Sequence, residues 1–185
     1  MRSVMKPSFV ALLGGMLLLA GCSAAPAPES SAPPDVSQGP QPLNVRKYEQ
    51  DPCALLPQAA EVFNAVRNRK ITGAITPACT WNDSKNSTLT IGFLPVQGGL
   101  ATIGQNLSST GYYDPAPAID GYPAAYTNVL DNRAQGGCQI AVGVQADEAF
   151  TSSVMLFPRS PSYGDPCSVA LKAAQAVVAT LKAGS

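Results

Sequence analysis

Four of the five cysteines, Cys53, Cys79, Cys138 and Cys167, are spread along the chain beyond its N-terminal region and restrict any fold it adopts to a small set of geometries. They are widely scattered, with no Cys-x-x-Cys pair. The spacing of a thiolate metal knuckle or of a redox dithiol is therefore missing. Oxidised, four cysteines allow three pairings. The expected pairing is Cys53–Cys79 and Cys138–Cys167, because each bridge then joins a helix start to a nearby strand. Each closes a loop of about 30 residues and removes on the order of 3.5 kcal/mol of denatured-state entropy in the chain-entropy model.

The compartment decides whether these thiols oxidise, and the N-terminus speaks to it. Arg2 and Lys6 precede an apolar run over residues 9–20, and Leu19-Ala20-Gly21-Cys22 follows the pattern of a bacterial lipobox. Cations, then about a dozen apolar residues, make a signal peptide. The run falls short of the roughly 20 residues of a transmembrane helix. The expectation is a signal peptide at 1–21, lipidation of Cys22 with palmitate-type acyl chains, and residence at the extracytoplasmic face of the cell membrane, where disulfides persist. Loss of Arg2 and Lys6 leaves ten basic and 12 acidic residues. With that charge balance the acyl chains, at about 0.8 kcal/mol per buried methylene, must supply the anchoring.

Residues 22–47 read as the lipidated cysteine and a Pro/Ser/Ala-rich tether. Pro26, Pro28, Pro33, Pro34, Pro40 and Pro42 favour extended chain, and Val36 and Leu43 are its sizeable apolar residues up to position 44. The globular domain is expected over 48–185. Two echoing segments, Asp51-Pro52-Cys53 and Asp165-Pro166-Cys167, look like helix starts, with Asp as cap and Pro at the first helical position. Punctuation then predicts a helix over 51–66, re-initiated at Pro57, and strands over 78–82 and 88–96, with Pro95 marking a sheet edge. A short helix over 99–107 and a loop over 108–121 follow. Strands over 124–130, 138–145 and 150–157 precede a last helix over 165–182. Leu89, Ile91 and Phe93 alternate with Thr88, Thr90 and Gly92, the period of a half-buried strand. The expected class is α+β: an antiparallel sheet of about five strands, N- and C-terminal helices packed on one face, and two disulfides.

The ordered set of a lipobox, a Pro/Ser tether, Asp51-Pro52-Cys53-Ala54-Leu55-Leu56, Cys79-Thr80-Trp81, Gly121-Tyr122-Pro123-Ala124, Cys138 and Asp165-Pro166-Cys167 resembles the actinobacterial cell-envelope lipoproteins carrying domain of unknown function 3558. The resemblance covers essentially the whole mature domain. It implies an envelope lipoprotein and supplies no catalytic or binding residues. One departure is visible: Leu56 meets Pro57 directly, where a small hydroxyl residue is expected between them.

Composition narrows the chemistry. Apolar residues make up 45% of the chain and charged residues 13%; the net charge is zero and histidine is absent. A neutral chain lacks the basic footprint of a nucleic-acid binder. Without histidine there is no imidazole base and no Ser-His-Asp triad. Ser168 and Lys172 lie one helical turn apart and read as a helix-start serine and a solvated lysine. Asp114, Asp120 and Asp131 read as turn formers, and Asp147-Glu148 as a hairpin tip. No metal and no cofactor is expected. The candidate binding surface is the 108–126 segment with Tyr112, Tyr113, Tyr122 and Tyr126, since tyrosines offer flat contact area at low entropy cost. The expected role is a non-catalytic binding module that meets an envelope protein, glycan or lipid. The alternatives are a cell-envelope enzyme with an unrecognised carboxylate site, or a carrier of an apolar ligand.

Overall fold

A computed structural model describes residues 40–72, 76–94 and 98–184, all within one compact unit, Ser37–Ser185. The expected signal peptide, Cys22 and most of the tether lie outside the described residues, as do Pro95 and Val96.

The chain builds one antiparallel sheet from β1 (Arg67–Ile71), β2 (Ala78–Asn82), β3 (Thr88–Phe93), β4 (Tyr112–Ile119), β5 (Tyr122–Asn128), β6 (Gly137–Gly143) and β7 (Ala149–Met155). Their order is β1-β2-β3-β7-β6-β5-β4. Two meanders, β1-β2-β3 and β4-β5-β6-β7, thus meet where β3 pairs β7. A helix, α2 (Gly99–Leu107), carries the chain from β3 to the far edge. The class is α+β with two disulfides as expected, but among the described residues the strands number seven rather than about five.

Both unforeseen strands are edges. The β1 sequence, Arg-Asn-Arg-Lys-Ile, is exposed along nearly its whole length and carries no apolar period. β4 contains Pro115 and Pro117, which resembles a loop in sequence but is compatible with an edge strand that lacks an outer partner. The register shifts between Ala116 and Ile119, a bulge at this edge. Cations on one edge and prolines on the other oppose edge-to-edge pairing. The β4–β5 turn is Asp120-Gly121, both at positive φ (50° and 88°), the two-residue geometry that closes a twisted hairpin. Residues 108–121, expected as a loop, are therefore largely strand.

One face of the sheet is closed by α1 (Ala59–Phe63), α3 (Pro166–Ala183) and a 3-10 turn, Pro52–Leu55. The first helix, expected over 51–66, is split into that turn and α1. It stops at Asn64, which takes a left-handed φ of 52°. Asp51 makes no cap hydrogen bond and lies 3.7 Å from the Lys70 ammonium instead. Asp165 does cap α3, accepting from the Ser168 backbone N–H, and Ser168 Oγ donates to the Asp165 carbonyl at 2.8 Å. Small buried residues let α3 sit close on the sheet: Ala170, Ala173 and Ala174 are fully buried, and Ser152 Oγ donates to the Ala170 carbonyl at 2.9 Å. Cys53 pairs with Cys79 and Cys138 with Cys167, the expected bridges. Trp81 shares the Cys79 face of β2 and is 3% exposed.

The packed domain begins before residue 48. Leu43 and Val45 are core residues, Leu43 N–H donates to the Val144 carbonyl at 3.2 Å, and Gln145 Nε2 donates to the Leu43 carbonyl. Glu148, expected at a hairpin tip, is buried there and paired with Arg46. The end of the segment expected as tether is thus a strap on the sheet. The helices also do not share one face. The α2 helix packs on the opposite side, where Ile103 meets Ala141 and Ala149 in a separate small core.

Candidate functional site

Side chains of a strand alternate between faces, so the register states what each face displays. On the helix-covered face of the inner strands stand Leu89, Ile91, Phe93, Phe150, Val154, Ile140 and Val142, all buried. On the other face one row runs Arg69–Thr80–Thr90–Ser153–Gln139 across five strands. Strands lie about 4.8 Å apart, so the row is about 19 Å long. A second row runs Arg67–Asn82–Thr88–Met155–Gly137 beside it. Thr80, Thr90, Ser153 and Gln139 are half-buried, and the Thr80 and Thr90 hydroxyls hydrogen-bond each other at 3.0 Å. Met155 and Phe157, 41% and 49% exposed, lie toward one end.

The charge of these two rows is one-signed. None of the strand residues in those rows is a carboxylate, and α2 carries no charged residue. The charges in the two rows are Arg67 and Arg69, both exposed. Arg67 donates to Asn86 Oδ1 at 2.7 Å, and Arg69 makes no ion pair with any described residue. Where α2 leaves the sheet, a cleft of about 360 Å³ opens, lined among others by Leu94, Ile103, Leu107, Asn106, Gln139 and Thr151. Gln139 and Thr151 belong both to the sheet face and to the cleft wall.

The four tyrosines do not form a common surface. Tyr112 and Tyr113 are consecutive on β4 and point to opposite faces. The Tyr113 ring lies under α2 against Gly104, where an added Cβ would come within 3.2 Å of it. Tyr122 is a core residue at 4% exposure, and its hydroxyl donates to the Gln41 carbonyl of the strap at 2.6 Å. Tyr126 lies on the helix-covered face, and burial, then the Asp165 charge, raises its phenol pKa. Tyr112 stacks beneath the Arg133 guanidinium, 4.4 Å from ring centroid to Cζ, and burial raises its pKa too.

Arg133 gathers the carboxylates that the sequence left separate. It donates to Asp114 at 2.8 Å and to both oxygens of Asp131, at 2.8 and 2.6 Å. These bonds hold the Asp131 carboxyl down at about 2, from an ordinary 3.8, and push the guanidinium pKa up. A guanidinium bonded to both carboxylates ties β4 to the β5–β6 connection. The third aspartate, Asp120, in the β4–β5 turn, pairs instead with Lys182 at 3.1 Å. Among the described residues no group of three acidic or cysteine side chains is placed to hold a metal ion, and no helix is long and apolar enough to cross a membrane.

The outward row escaped the sequence because its residues are small, polar and unremarkable one at a time. The alternation of Thr88 and Thr90 against Leu89 and Ile91 shows one strand of it; only strand order shows that five strands contribute.

No curated protein and no solved structure matches the chain. A family model does, over residues 17–180, from within the apolar run to the last turn of α3, and its description is that of a protein of unknown function. With that coverage, the chain belongs to the DUF3558 family.

Proposed function

We propose that this is an exported, lipid-anchored binding protein of the cell envelope, held by acyl chains on Cys22, and that the open face of its sheet is the ligand surface. The chain binds and does not catalyse. One observation carries this: a row of half-buried hydrogen-bonding side chains, Thr80–Thr90–Ser153–Gln139, crosses the middle of a sheet whose other face is closed by helices. The anchor rests on the lipobox before Cys22, and an oxidising location fits the two disulfides. Against a carboxylate enzyme stands the geometry of Asp114 and Asp131, which converge on one guanidinium and not on a cleft.

Two measurements test this. Cys22→Ala should move the protein from the detergent phase to the soluble fraction and abolish acyl labelling; retained acylation rejects the anchor. A photo-crosslinking side chain placed at Ser153 should give a discrete adduct in intact cells, while the same group at Glu61 on α1 should not. Adducts at Glu61 alone reject the face.

A further inference from the structure

We infer that the open face takes an extended, carboxylate-bearing glycan, with its hydroxyls along the threonine row and its acid groups on Arg67 and Arg69. This rests on the open face being the ligand surface.

Three features point to that chemistry. The central row carries two threonines, a serine and a glutamine, side chains that both donate and accept hydrogen bonds, and Asn82 and Thr88 extend it sideways. Such groups match the mixed donor–acceptor edges of a polyol. Next, the row ends on Arg69, with Arg67 two residues along the same strand, about 7 Å away on the same face. A guanidinium presents a planar fork that fits a carboxylate bidentately. The two are not gathered into one pocket, so they suit acid groups repeated along a chain. Finally, no carboxylate in the rows opposes them. The attraction is local: the whole chain has no net positive charge to draw in a polyanion.

Other polyanions fit less well. Single-stranded nucleic acid needs aromatic platforms for successive bases, and of the rings on this side Tyr113 is covered by α2 and Phe157 lies at one end, outside the central row. An acidic peptide would use the two arginines but offer the row only one backbone N–H and one C=O per residue, where each sugar ring offers several hydroxyls.

The test uses the mature, disulfide-bonded protein and three probes: an oligogalacturonate, its fully methyl-esterified form, and polyglutamate of similar length. Binding is read by titration calorimetry at low salt. The oligogalacturonate should bind. The methyl ester, with similar hydroxyls and no charge, and polyglutamate, with charge and no hydroxyls, should each bind at least several-fold more weakly. The double variant R67Q/R69Q should lose about tenfold in affinity, as expected for two exposed charge pairs. Its thermal midpoint should stay unchanged, because both side chains are exposed. Thr90→Val should weaken the oligogalacturonate and leave polyglutamate unaffected.

Equal binding of oligogalacturonate and polyglutamate, no binding of oligogalacturonate, or full affinity in R67Q/R69Q overturns the proposal. If Ser153 still crosslinks in cells while oligogalacturonate fails to bind, the glycan is wrong and the surface stands. If both fail, both fall.

Discussion

The ring of Tyr113 lies against the backbone of Gly104, so that β4 and α2 meet where a helix residue has no side chain. A tyrosine that looked like a free contact surface is thereby a packing element. Tyr113→Ala should lower stability by about 2 kcal/mol, less than the 3–5 kcal/mol of a fully buried large aromatic because the ring is half-buried. Gly104→Val should cost about 1–3 kcal/mol by overpacking the same contact. Urea unfolding of both variants checks this; an unchanged midpoint for Tyr113→Ala would return the ring to the surface.

Tyr122 fastens the strap. Its hydroxyl donates to the Gln41 carbonyl, just before Leu43 enters the core. Tyr122→Phe should cost about 1 kcal/mol, the net worth of one hydrogen bond, and the loss should be local. Hydrogen exchange at the Leu43 amide, which bonds Val144, should speed up while amides of β3 and β7 stay protected. Uniform acceleration across the sheet would contradict a strap that opens by itself.

The bridge between Cys138 and Cys167 links β6 to the first turn of α3 across 29 residues of sequence. Replacing both by alanine should cost about 3 kcal/mol and lower Tm by on the order of 10 °C. Calorimetry of the double variant measures it, and peptide mapping without reductant should recover Cys53 joined to Cys79 in the same protein. A Cys53–Cys79 peptide absent from the map would contradict the paired arrangement.

Asp131 supplies a pH signature. Its folded pKa is depressed to about 2, so its stabilising contribution is fully present above the ordinary value of 3.8 and is lost as pH falls toward 2. The stability difference between the wild type and Asp131→Asn should therefore be constant above about pH 5 and shrink between pH 4 and 2. Acid titration of both proteins followed by near-ultraviolet circular dichroism decides the point. A difference that grows on acidification would mean that Arg133 does not hold this carboxylate.

Local chemistry carries much of this protein. The four cysteines and their helix starts, the boundaries of α2 and β2, the capped start of α3 and the inward alternation of β3 are written in short stretches, because caps, turns and strand periods act over a few residues. Asp120-Gly121, a strong hairpin signal, even marks the β4–β5 turn, although Pro115 and Pro117 beside it look like loop. What only tertiary structure decided are pairings between distant residues. β1 has no apolar period because an edge strand need not bury one, and it exists because β2 offers it hydrogen bonds. Tyr122 and Leu43 look like surface and tether until the strap crosses the β5 end of the sheet. Asp114 and Asp131 look like separate turn formers until Arg133 stands between them. The open face belongs to this second class: each outward Thr, Ser or Gln is ordinary in its own strand. They become one row, with Arg69 at its end and Arg67 beside it, only through a strand order that pairs β3 with β7 and leaves β1 at the edge.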